Sequence, residues 1–358
     1  MKGNAALPGC SSIRAREWAA MIVLAVALAV IGAASLTVGT YDLSIQDILE
    51  VLAAKAGLAA EPSNEKAVTV LIVIRLPRIV IAALAGAALA VSGAAYQGIF
   101  KNPMVSPDIL GVSAGAGAGA ALELLLGLSS LAVHAMSFAF GVMAVAVVMV
   151  IARSFGKSGN AIVVMILAGT VIASVFTAVT SLLKYVADPD DQLPQITYWL
   201  MGSFARSGND SNVWTMALVL VVGGGALLAA RWRINVMSFG DDEARAMGVN
   251  VNATRAVIIA AATLLTSITV CMCGSVGWVG LIIPHITRLV TGPNYRSLIP
   301  ISMLGGACFM VVVDDIARIA VPGELPISVL TALIGAPLFL FLLARGRKEW
   351  LLASASPI

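Results

Sequence analysis

The residues able to do chemistry in this chain are few and scattered. Its two histidines are His134 and His285, and its four cysteines are Cys10, Cys271, Cys273 and Cys308. A metal site needs such ligands converging at short spacing. Cys271 and Cys273 are two positions apart, which on a helix turns their sulfurs about 200° from one another. Three of the cysteines lie inside apolar runs, so they read as packed thiols and not as a disulfide framework. Gly156-Lys157-Ser158 has the end of a phosphate loop, but the position of its leading glycine holds Ile151. Gly111, Gly115 and Gly119 recur every four residues, a spacing that suits close helix packing; a dinucleotide site would need a strand before them. The acids embedded in apolar sequence are Glu123, Asp314 and Asp315, and Asp314 with Arg318 has the i,i+4 spacing of a helical ion pair. No catalytic constellation emerges. The chain is expected to bind no metal, nucleotide or other cofactor itself.

The elements that must hold these residues follow from composition. Of 358 residues, 59% are hydrophobic and 11% charged, and the mean hydropathy is +0.97. So little polar surface cannot solvate a globule, and the apolar residues fall in runs near the ~20 residues of helix that cross a bilayer. Ten segments are predicted, at about 17–38, 78–99, 108–127, 131–152, 161–184, 212–230, 254–274, 277–291, 297–320 and 326–345, the eighth short and broken by Pro284. The expected fold is all-α integral membrane, ten transmembrane helices in one compact bundle, forming a single domain over residues 1–358. The first run exceeds the ~7–15 residues of a signal-peptide core, so it reads as an uncleaved span after a cytoplasmic tail of residues 1–16. With the N-terminus inside, Lys55, Lys66, Arg75, Arg78, Lys184, Arg206 and Arg318 fall outside, leaving 15 of the 22 basic residues inside. That bias places both termini in the cytoplasm. A net charge of +3 is too balanced for a nucleic-acid partner.

Polar stretches between the spans carry structure of their own. On the outer side, Ser44-Ile45-Gln46-Asp47 starts a helix running to about Ala56, and Pro194 to Met201 forms a partial helix too short to span. On the inner side lies Gly240-Asp241-Asp242-Glu243-Ala244-Arg245-Ala246-Met247-Gly248. Its first turn is acidic, Asp241 can cap and Gly248 can terminate, so a short helix exposed at the membrane surface is predicted. Such a helix is either a solvated connector or the element on which a soluble motor pushes.

At these residues the sequence resembles the FecCD-type permeases, the membrane subunits of type II ABC importers for ferric siderophores, haem and cobalamin. The matching segments are Arg75-Leu76-Pro77-Arg78, Gly86 to Gly93, Asn102-Pro103, Leu110 to Ala116, Trp199 to Ser203, Gly240 to Gly248, Gly277 to Arg288, Glu324-Leu325-Pro326 and Gly335-Ala336-Pro337. They cover about residues 70–345 in family order. The resemblance implies a homodimer, or a dimer with a close paralogue, in the bacterial inner membrane, with a translocation path on its two-fold axis. It also implies two ATPase subunits inside, which bind ATP and Mg, and a periplasmic binding protein docked outside. By the same resemblance, Gly240 to Gly248 is the coupling helix seated in the ATPase. Arg75, Arg78 and Arg318 are then outward arginines that receive acidic residues of the binding protein, a pairing suited to bidentate guanidinium chemistry. Between Arg318 and Glu324 the chain is one residue shorter than some relatives, and no substrate-binding residue is carried over.

The function so implied is that of a permease subunit, not an enzyme, importing an iron chelate, haem or cobalamin-type cargo, with iron chelates preferred. The alternative, an ion-coupled secondary transporter without an ATPase, needs buried acids for the coupling ion, and the central spans hold almost none. A purely structural scaffold would leave both the inner helix and the outer arginines without a role.

Overall fold

The computed structural model describes residues 8–354 except 61, 63, 157–160, 207, 209 and 322; the tail up to residue 7 and the Lys157-Ser158 fragment lie outside the described residues. The chain opens with an apolar helix, α1 (Pro8–Ser35). Ser44 then starts α2 (Ile45–Lys55) with a capping box, its hydroxyl accepting the Asp47 N–H at 3.0 Å and its own N–H donating to the Asp47 carboxylate at 3.1 Å.

After α3 (Glu65–Val68), a π-helical turn, Thr69–Arg75, runs without a break into α4 (Leu76–Ile99). Pro77 accounts for the widened turn, because it has no N–H to return to Val73 and its ring crowds that carbonyl. The shifted register leaves Val73 and Ile74 exposed and turns Arg75 inward. The span predicted to begin at 78 is therefore helical from Glu65.

A 3-10 turn, Pro107–Leu110, precedes α5 (Val112–Leu126), α6 (Ser130–Phe155) and α7 (Ala161–Val186). The partial helix predicted at 194–201 is α8 (Gln192–Met201), and α9 (Asp210–Val219) passes through a second π turn, Leu220–Gly224, into α10 (Gly225–Phe239). The short α11 (Asp241–Ala246) leads to α12 (Val251–Cys273), α13 (Val279–Thr291), α14 (Tyr295–Ile319) and α15 (Ile327–Ser354). Two expectations are corrected here. Gly111 does not share a helical face with Gly115 and Gly119; at φ 80° it is the left-handed junction between the 3-10 turn and α5. Pro284 does not break α13, because the carbonyl it leaves unpaired, that of Gly280, accepts the buried Gln97 amide at 3.4 Å.

The centre of the bundle is α4, buried along most of its length and packed on α14, α12 and α13. Its small residues permit this: a Cβ on Gly86 would lie 2.1 Å from the Gly306 carbonyl oxygen, and one on Gly93 would lie 1.8 Å from that of Gly280. Among the described residues, seven helices are long and apolar enough to cross a membrane, accompanied by three shorter apolar helices, Val112–Leu126, Val279–Thr291 and Ile327–Leu342. The protein is an all-helical membrane bundle.

Candidate functional site

Charged groups gather at the two ends of α4, separated by the roughly 36 Å that 24 helical residues span at 1.5 Å each. At its N-terminal end, the three arginines singled out in the sequence come together around a cavity of about 130 Å³ lined also by Gly39, Tyr41 and Glu324. Arg78 donates through Nε to both oxygens of Asp314 at 3.0 Å, and through Nη1 and Nη2 to Glu324 at 2.7 and 3.0 Å. Arg318 forms the i,i+4 pair with Asp314 at 3.2 Å that its spacing foretold, pairs with Asp315, and donates to the Val38 carbonyl at 2.9 Å. Arg75 reaches back across the π turn to the carbonyls of Leu36, at 2.6 Å, and Tyr41.

These guanidiniums are not presented outward, as the resemblance implied. Arg75, Arg78 and Arg318 are each only 4–5% exposed. The reason is electrostatic: Arg78 and Arg318 pair with Asp314, Asp315 and Glu324, while Arg75 gives its donors to the Leu36 and Tyr41 carbonyls, and buried charges persist only when so compensated. Glu324 is the accessible member of the network, with a side chain 34% exposed and a left-handed backbone, φ 65°. Sequence reasoning placed Glu324 in a motif without giving it a role, and nothing local could pair Arg78 with Asp314, which lies 236 residues away.

At the other end of α4, α11 takes the predicted helical form, but its cap differs. Gly240 occupies the N-cap, and Asp241, instead of capping, binds Arg255 at 2.8 Å and Lys101 at 3.5 Å. Partial burial alone would raise the Asp241 pKa; these two cations hold it below the ordinary carboxylate value. Lys101 and Arg255 were missed because they belong to the α4–α5 connection and to α12. Gly248, at φ 80°, closes the turn, and Val249 N–H donates to the Ala244 carbonyl at 2.9 Å. Ala244 is fully buried and anchors the helix, while Asp242, Glu243, Arg245, Ala246 and Met247 remain exposed, with Arg245 paired to Asp242 at 2.7 Å. A rigid, bipolar tip with one exposed methionine is a surface another protein can grip.

The histidines and cysteines converge on no metal site: among the described residues no group of three potential ligands lies together. Cys271, Cys273 and Cys308 are free and buried, and the Cys271 thiol donates to the His134 carbonyl at 3.2 Å.

Comparison with known proteins shows the family to which the chain belongs. Residues 23–345 match the FecCD transport family. The chain is similar to the molybdate import system permease protein MolB of Haemophilus influenzae, 39% identical over 317 residues that cover 88% of this chain and 92% of MolB. It is also similar to the cobalamin import system permease protein BtuC of Halobacterium salinarum, 41% identical over 271 residues, 75% of this chain and 72% of BtuC. Among solved structures, a metal-chelate type ABC transporter in an inward-facing conformation superposes with a TM-score of 0.81 at 37% identity, covering 91% of this chain and 98% of that one. With an apolar helical bundle and a family match that spans most of its length, this chain belongs to the FecCD transport family and is a multi-pass inner-membrane ABC importer permease.

Proposed function

We propose that two copies of this chain form the transmembrane path of an ATP-driven importer, each crossing the membrane ten times with both termini in the cytoplasm. The observation that carries this reading is α11. Its exposed face is tied through Asp241 to Lys101, at the inner end of α4, and to Arg255 on α12, so a displacement of α11 is passed directly to two central helices. The partner pushing on it is an ATPase that binds ATP and Mg, two per permease dimer, and this chain performs no hydrolysis.

At the opposite end, the arginine network receives the binding protein. An incoming carboxylate gains the Arg78 guanidinium by exchanging with Glu324, the accessible acid. The face toward the second copy is α7. There Thr170, Ser174, Thr177 and Ser181 form one exposed stripe, each hydroxyl donating to the carbonyl four residues back at 2.8–3.0 Å, beside Asp108 in a cavity of about 560 Å³. A polar stripe on an otherwise apolar exposed helix suits a watery path between copies better than it suits lipid.

The cargo class is a metal complex, with an iron chelate, haem or cobalamin-type molecule as the expected form. Two relatives named for cargoes as unlike as molybdate and cobalamin support a path that transmits while the binding protein selects. The test is a mild-detergent pull-down of tagged chain from its native membrane, with stoichiometry. Recovery of a phosphate-loop ATPase, one per permease copy, is expected. Repeated recovery of the chain alone, even after crosslinking, would refute the importer reading.

A further inference from the structure

At the arginine end a second, larger cavity, of about 540 Å³, opens between α5, α6 and α8. Gln192 at the start of α8 ties it there by donating to the Leu125 carbonyl at 3.0 Å, near the end of α5. The cavity is lined by two groups of opposite charge that do not pair with each other. Glu123, on the last turns of α5, is 1% exposed, and its Oε1 has no hydrogen-bond partner. Arg206, on the connection after α8, lies over the Trp199 ring at 5.9 Å and donates to the Trp199 carbonyl at 3.1 Å, yet among the described residues no carboxylate pairs with it.

A buried carboxylate oxygen without a hydrogen-bond partner is costly, and ionisable groups kept at depth in a membrane protein mark binding sites. Glu123 and Arg206 line the same cavity, so a bare cation meets only the one and a bare anion only the other. One molecule carrying both charges satisfies both groups. Tyr198 and Trp199 add amphipathic rings of the kind found at the membrane–water boundary, and Leu124, Leu128 and Val133 give the cavity an apolar wall. A volume of several hundred cubic ångströms is that of a small-ligand pocket.

We propose that this cavity binds a zwitterion, its ammonium group on the Glu123 carboxylate and its phosphate or carboxylate on the Arg206 guanidinium. Two sources share this chemistry: the headgroup of an aminophospholipid, and a soluble amino-acid-like zwitterion. The proposal does not depend on the import reading, and its test needs no ATPase.

The experiment measures thermal stabilisation of the delipidated full-length chain in detergent. The probes are short-chain phosphatidylethanolamine, short-chain phosphatidylglycerol, phosphoethanolamine and glycine; the proteins are wild type, Glu123→Gln and Arg206→Gln. Saturable stabilisation of wild type by phosphatidylethanolamine and not by phosphatidylglycerol, about tenfold weaker in both variants, is the expected result and assigns a lipid. The same pattern with phosphoethanolamine or glycine, without a lipid response, assigns a soluble ligand. Equal responses to the two lipids, equal responses of wild type and both variants, or no saturable response to any probe overturns the proposal. Arg206 is exposed on a connection, so its variant remains informative should Glu123→Gln fail to fold.

Discussion

Arg78 donates to two carboxylates that differ in exposure: Asp314 is fully buried, whereas the Glu324 side chain is 34% exposed. Removing a partner from a buried pair strands a charge, while a part-exposed pair is screened by water. Arg78→Gln should therefore destabilise the bundle by about 3–5 kcal/mol, and Glu324→Gln by at most about 1 kcal/mol, as read from thermal unfolding in detergent. Equal losses would show that the network does not divide as its exposure implies. At the inner end, Asp241 is held below its ordinary pKa of 3.8 by Arg255 and Lys101. A depressed carboxylate contributes stability that is complete above its unfolded pKa and is lost as pH falls through the folded one. Hydrogen-exchange protection of residues 240–248, corrected for intrinsic rates, should stay flat from about pH 8 to about pH 5 and drop only in stronger acid. Asp241→Asn should lower protection at neutral pH and remove the acid step. Of these residues, the Asp314–Arg318 pair was legible from spacing alone. The links from Arg78 to Asp314 and Glu324, and from Asp241 to Lys101 and Arg255, were not, because they join elements that only the packed bundle brings together.

Several elements whose signals are local were read correctly from the sequence. The Ser44 capping box, the short helix ending at Met201 and the α11 turn closed by Gly248 all rest on residues within a few positions of one another. Elements whose form depends on a neighbour were misread: α13 continues through Pro284 because Gln97, on α4, satisfies the freed carbonyl. Replacing Glu243 and Arg245 together should leave the permease folded, since both are exposed, while abolishing ATPase association or uncoupling it. Unchanged assembly and transport would remove α11 from the coupling role. For packing, Gly86→Val drives a side chain into the Gly306 backbone and should cost about 1–3 kcal/mol or more. Gly225→Ala, with no atom within 4 Å of its Cβ, should be neutral or stabilising by up to about 1 kcal/mol. Unfolding curves of the two variants side by side provide the check.

At the scale of the whole molecule, α4 and α14 form the main seam, with the close Gly86–Gly306 approach within it and the Arg78–Asp314 pair at one end. Composition announced a membrane bundle, but the seam itself lay beyond sequence reasoning, because small residues occur throughout the apolar runs and do not name their partners. The seam also bears on biogenesis. Asp314 is 236 residues downstream of Arg78, so at ribosomal rates of ~5–20 residues per second α4 waits on the order of 10–50 s for its counter-charge to be synthesised. Throughout that interval the guanidinium must snorkel to the headgroups or be sheltered by the insertion machinery. The nascent chain is thus most open to quality-control proteolysis before α14 emerges, and a truncation that ends ahead of Asp314 should be cleared faster than one that ends after it.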